Sequence, residues 1–280
     1  MKIMLWIAGV LATFTTVRAQ DMPCHAPATT TGQFAMLAKD AAFRRSHENP
    51  LPYTHQSATG KMITFKTPDG KTASAFELKA AKPSNNYLFV YQEWWGLNDH
   101  VKREAEKYYR ELGDVNVLAL DMYDGKIATN REDAAKYMGA ADEKRLEAIM
   151  KGAIAHAGPK AKIASVGWCF GGALSLKSAL LEGKQAVGCV MYYGMPVQDV
   201  EKLKTLQTDV LGIFAKKEEW ISPKVVAEFE ENMKKAGEKV TVKSFDAQHG
   251  FANPSNPVYD KEATAEAYAL STRYLKERFK

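Results

Sequence analysis

Gly167-Trp168-Cys169-Phe170-Gly171-Gly172 is the stretch whose reading decides the fold. It follows the short apolar run Ile163 to Val166 and opens onto Ala173 to Leu181, whose residues favour helix. Strand, sharp turn and helix succeed one another without a spacer. A turn this tight forces its central residue into a strained backbone conformation, and glycines on both sides remove Cβ atoms that would collide. With Ser at the centre the pattern is the G-x-S-x-G nucleophile elbow; here Cys169 stands in that place. A thiol held there can attack a carbonyl carbon once deprotonated, and the N-terminus of the following helix favours the thiolate. A small buried Cys at a βα turn satisfies the same six residues, so the remainder of the chain has to supply the partners.

Outward from the elbow, strands alternate with helices. Lys61 to Thr67 and Thr72 to Leu78 flank a Pro68-Asp69-Gly70 turn and read as a β-hairpin. Tyr87 to Tyr91 is a continuous apolar run that suits a strand buried on both faces. It is followed by a helix capped at Asn98 or Asp99 and ending near Leu112. Val115 to Leu120 is the next strand, and the stretch from Arg131 to His156 supplies one or two helices. Val187 to Tyr193, Val210 to Ala215 and Val240 to Phe245 read as strands, with helices expected from Pro223 to about Ala236 and from Asp260 to Phe279. Such alternation predicts an α/β fold with a mostly parallel sheet and helices on both faces.

The two ends differ from this pattern. Met1-Lys2, the apolar run Ile3 to Phe14, and Val17-Arg18-Ala19 before Gln20 make residues 1–19 a signal peptide, with export to the periplasm or the extracellular space. Residues 20–57 form an N-terminal extension, rich in Pro and Thr, with one helix-like patch from Gln33 to Arg45; it is expected to be an arm or a docked helix. Residues 58–280 form the main domain. At 46% hydrophobic and 25% charged, a chain of 280 residues can bury a large core. Its formal charge of +5 falls to 36 basic against 33 acidic residues without the leader, too small an excess to argue for nucleic acid. Beyond the leader nothing reaches transmembrane length, and no feature specifies more than a monomer or dimer. Of the three cysteines, Cys189 belongs to a buried strand and Cys24 has no evident partner, so no disulfide framework is expected.

In open α/β sheets ligands bind beyond the carboxyl ends of the strands. Those ends carry Glu93, Tyr123, Cys169, either Glu218 or Glu219, and His249 in the loop after Phe245. Nucleophile, acid and histidine follow in the order of the α/β-hydrolases. Glu218 is the favoured acid, its task being to fix the His249 tautomer and stabilise the imidazolium. The oxyanion hole would be built from the backbone N–H groups of Trp94 and Phe170, with Trp95 and Tyr123 walling the pocket.

Gln92-Glu93-Trp94-Trp95-Gly96-Leu97-Asn98, Asp121-Met122-Tyr123, the elbow, and Gln248-His249-Gly250-Phe251 together resemble the dienelactone hydrolase family, over about residue 60 to the end. The resemblance implies an ester or lactone hydrolase working through a thioester, with Glu93 in contact with the resting thiol. It also implies arginines that grip a substrate carboxylate. Their places here fall at Gly125 or Lys126 and at Asn253, so dienelactone itself is not the expected substrate. Lys126 is the candidate substitute, without the planar guanidinium fork. No metal or organic cofactor is expected, because no histidine pair has ligand spacing such as H-x-x-x-H. Two other classes compete for the same residues. One is a catalytically silent binding protein on the same scaffold; the other is a thiol redox protein, which would lack a C-x-x-C partner.

Overall fold

Alternating apolar runs become an eight-stranded sheet in a computed structural model, which describes residues 29–280. The strands are β1 Lys61–Lys66, β2 Thr72–Leu78, β3 Asn86–Tyr91, β4 Asn116–Leu120, β5 Lys162–Trp168, β6 Ala186–Tyr192, β7 Val210–Lys217 and β8 Val240–Gln248. Their order is β1-β2-β4-β3-β5-β6-β7-β8; β2 runs antiparallel to β1 and β4, and all later pairs are parallel. Parallel neighbours need crossover helices, which accounts for the spacing read from the sequence.

The helices are α1 Thr30–Leu37, α2 Ala41–Arg45, α3 Asp99–Leu112, α4 Arg131–Gly139, α5 Glu143–Ala157, α6 Phe170–Glu182, α7 Val200–Leu203, α8 Pro223–Ala236 and α9 Lys261–Arg278. Val101, Ala105 and Tyr108 give α3 a buried stripe at helical spacing, and Asn98 caps it by accepting from the N–H of Val101 at 3.1 Å. The Tyr108 hydroxyl meets Ser271 of α9 at 2.8 Å, joining α3 and α9, while α5 packs with α6. Every residue of β4 is buried, as is β3 from Leu88 to Tyr91, so the sheet centre is covered on both faces.

Three expectations change. The patch from Gln33 to Arg45 is two helices, not one, because Asp40 stops the first and caps the second through the N–H groups of Ala42 and Phe43 at 2.6 and 3.1 Å. β8 continues past Phe245 to Gln248, and its alternation explains why: Phe245 and Ala247 are buried while Asp246 and Gln248 face water. The short α7 was not anticipated. The expected leader (residues 1–19), Cys24 and the start of the extension lie outside the described residues. No helix among those described is long and apolar enough to cross a membrane.

Candidate active site

Cys169 sits between β5 and α6 with φ +54° and ψ −118°, the strained turn its flanking glycines predict. Its N–H donates to the carbonyl of Tyr192 at 3.0 Å. A Cβ on Gly171 would lie 2.3 Å from the Tyr91 oxygen, and one on Gly172 would lie 2.6 Å from the Tyr192 oxygen. Only glycine lets α6 start this close to the ends of β3 and β6. Cys169 is 2% exposed. Burial pushes its thiol pKa up and the Glu93 carboxylate adds to this, while His249 and the N–H of Phe170 pull the other way.

His249 follows β8 directly. Its Nδ1 and Oε2 of Glu218, which follows β7, are 2.5 Å apart. Oε1 of Glu218 accepts from the N–H groups of Trp220 and Ile221 at 3.3 and 3.4 Å. Burial opposes charge on Glu218, but the imidazole and these donors prevail and lower its pKa. Burial likewise opposes charge on His249, and the Glu218 carboxylate and the thiol outweigh it, raising the imidazole well above its ordinary value. Of the two acids open in the sequence, Glu218 is buried and engaged, while Glu219 is exposed. A ring nitrogen of His249 and the Cys169 Sγ lie within 4.8 Å of each other.

Glu93, beyond β3, is partly buried, and Nδ2 of Asn253 donates to its Oε2 at 2.6 Å. Removal from water raises the Glu93 carboxyl to about 7, against the opposing pull of His249 and Asn253. Trp94, Trp95 and Tyr123 are all buried here, Trp94 completely. Lys126 is exposed, its ammonium 5.8 Å from the centre of the Tyr137 ring, which in turn packs on Tyr123 at 6.1 Å. The carboxylate of Asp121 accepts from the N–H of Tyr123 at 3.0 Å and of Gly125 at 2.5 Å, which shapes the loop carrying Tyr123 and Lys126.

Sequence reasoning did not foresee what the N-terminal extension contributes. Phe43 of α2 is fully buried, its ring 5.4 Å from Trp94, 5.2 Å from Trp220 and 6.2 Å from His249. One turn later His47 is 5% exposed, its ring 5.1 Å from that of His249. Burial, with His249 beside it, depresses the His47 pKa to about 3, so the ring is neutral. Phe34 of α1 meets Phe170 edge-on at 5.3 Å. The i, i+4 spacing of Phe43 and His47 was a legible hint of one helical face, but nothing in it named the surface they cover. Tyr193, after β6, was also missed; its backbone has φ +35° and its ring stands 5.0 Å from His249.

Residues 74–279 match the sequence model of the dienelactone hydrolase family, well over half of the chain. The chain belongs to the dienelactone hydrolase family. A protein of Aquifex aeolicus provisionally named carboxymethylenebutenolidase is 27% identical over 237 residues, spanning 79% of this chain and 100% of that one. The protein usf of Aquifex pyrophilus is 29% identical over 204 residues, covering 68% of this chain and 87% of its own. Among solved structures, a dienelactone hydrolase-like promiscuous phosphotriesterase from metagenomic libraries aligns with a TM-score of 0.66 at 21% identity, over 80% of this chain and 100% of that one. At that identity the likeness carries the fold, an α/β-hydrolase. Family and architecture together make this dienelactone hydrolase relative a carboxylic ester hydrolase.

Proposed function

We propose that this hydrolase cleaves a small ester or lactone through a thioester formed on Cys169. The observation that carries the reading is the line Glu218, His249, Cys169: a 2.5 Å contact at Nδ1 leaves the Nε2 side of the imidazole for the thiol at the strained elbow. Sγ attacks the carbonyl carbon as its proton passes to His249, and the carbonyl oxygen takes the negative charge toward the N–H groups of Phe170 and Trp94. The alkoxide leaves with the proton from His249. Water, deprotonated by His249, then attacks the thioester, releasing the carboxylic acid and restoring the thiol. Glu218 holds the imidazole orientation and offsets its charge. Glu93, with its carboxyl near 7, keeps the resting thiol protonated until substrate displaces it, which guards an exported thiol against oxidation.

Trp95 and Tyr123 wall the acyl site, and Lys126 at the surface attracts substrates with a carboxylate. The leader motif in residues 1–19 supports export of the mature chain, either as monomer or dimer. The test is hydrolysis of a short p-nitrophenyl ester under reducing conditions by the wild type, Cys169→Ala and His249→Ala. Loss of turnover in both variants, with circular dichroism unchanged, is expected. Equal rates in all three overturn the mechanism.

A further inference from the structure

The expectation of no metal rested on spacing along the chain, yet the fold brings three good ligands together from three distant places. A ring nitrogen of His47, a ring nitrogen of His249 and Sγ of Cys169 lie within 4.8 Å of one another, and all three residues are buried. We propose that His47, Cys169 and His249 form a binding site for a zinc-class divalent ion, which ties the N-terminal extension to the elbow and blocks the thiol reversibly. The site binds metal by geometry alone, whatever the enzyme turns over.

The orientation of the two imidazoles supports this more strongly than their proximity. Nδ1 of His249 is taken by Glu218 at 2.5 Å, and Nδ1 of His47 by the carbonyl of Phe43 at 2.7 Å. A carbonyl can only accept, so His47 carries its proton on Nδ1 and its lone pair on Nε2. Both Nε2 atoms are buried without a hydrogen-bond partner. Metal-bound histidines characteristically donate their other ring N–H to a carboxylate or a backbone carbonyl, and here one of each is in place. For His47 this leaves an unpartnered acceptor out of water, which is unfavourable by itself, and a metal ion shared with His249 and Cys169 satisfies it.

The donor set selects the ion. Two imidazoles and a thiolate suit borderline and soft cations and exclude magnesium or calcium, which require oxygen. Zinc bonds of roughly 2.0–2.3 Å place tetrahedral ligands roughly 3.3–3.6 Å apart, so ligands within 4.8 Å of one another need to close by at most about 1.5 Å on binding. His47 supplies that movement, because it is carried on the short extension and not on the sheet. The ion displaces one proton, from the thiol or from the thiol–imidazole pair, to solvent. Its two positive charges are then balanced by the thiolate and the nearby Glu218 carboxylate. A water completes the fourth position, as at zinc sites with three protein ligands.

The test uses the full chain, reduced and metal-free, titrated with zinc against a chromophoric chelator and with cobalt(II) as a spectroscopic stand-in. One ion per chain is expected, with a sulfur-to-cobalt charge-transfer band that disappears in Cys169→Ser. Affinity should fall more than about tenfold in His47→Gln and remain unchanged in His156→Gln, whose imidazole meets Glu77 far along the chain. In the wild type, where no folding defect intervenes, zinc should slow alkylation of Cys169 as read by mass spectrometry. Absence of binding at micromolar metal, a band that survives Cys169→Ser, or zinc that leaves alkylation unchanged overturns the site. Esterase assays do not enter these readouts, so failure of the thioester mechanism would be seen separately.

Discussion

Asn253 donates a 2.6 Å hydrogen bond from Nδ2 to Oε2 of Glu93, across 160 residues of chain. This is the position at which resemblance to the family led us to look for an arginine that grips substrate. In this chain the residue instead holds a carboxylate of its own protein. Asn253→Ala leaves a partly buried carboxylate short of its donor and should lower stability by about 1–3 kcal/mol in urea unfolding. Asn253→Asp should cost more, because it sets two carboxylates in contact. Equal midpoints for the wild type and both variants would refute the account.

Glu218, not its neighbour, should matter to turnover. Glu218→Gln keeps the shape but loses the charge behind His249, and kcat/KM should fall by roughly a hundredfold to ten-thousandfold. Glu219→Ala, at an exposed position, should remain within about twofold of the wild type. Steady-state ester hydrolysis decides between them.

Phe43 holds the extension onto Trp94, Trp220 and His249. Phe43→Ala removes that anchor, a loss worth about 3–5 kcal/mol if the site stayed packed. The extension can detach instead, so the cost should appear as local opening rather than global unfolding. Alkylation of Cys169 should quicken by about tenfold or more, while the urea midpoint of the domain moves little. A thiol that stays as slow as in the wild type would show that substrate reaches it another way.

Glu182 should make stability depend on pH. Its carboxyl is buried at the end of α6, accepting from Ser178 Oγ at 2.6 Å, with Oε2 lacking a partner. Burial raises its folded pKa from 4.5 to about 8. Below the unfolded value both states hold the proton; between the two values only the native state does, so stability falls as pH rises through that window. The slope is at most about 1.4 kcal/mol per pH unit. Glu93 acts in the same direction, so the measurement is the difference from Glu182→Gln, which should show the shallower decline.

Gly171→Ala should be severely damaging at the elbow. Its methyl would meet the Tyr91 and Gln92 carbonyl oxygens at 2.3 and 2.4 Å, and backbone cannot swing aside as a side chain can. A loss of at least about 3 kcal/mol, or insoluble expression, is expected. A normal thermal midpoint would contradict the packing described.

The strand ends were legible because each is written locally. An apolar run followed by Glu93, by Cys169 between glycines, or by Glu218 names its own place at the edge of a parallel sheet. His249 was found for the same reason, although β8 proved longer than its hydrophobic run, since an edge strand presents polar residues on one face. The cover was not legible. Phe43 and His47 act on Trp94 and His249, and no local pattern couples positions so far apart. The resemblance to the family offered no help there, because it begins near residue 60.

The matched region, residues 74–279, thus stops short of the helices that roof its own pocket. In this chain the matched region and the helices that pack over it are separate segments of sequence. What faces His249 is thus supplied partly from outside the strands, so substitutions on α2 can change access to Cys169 while Glu218, His249 and Cys169 stay where the strand ends put them.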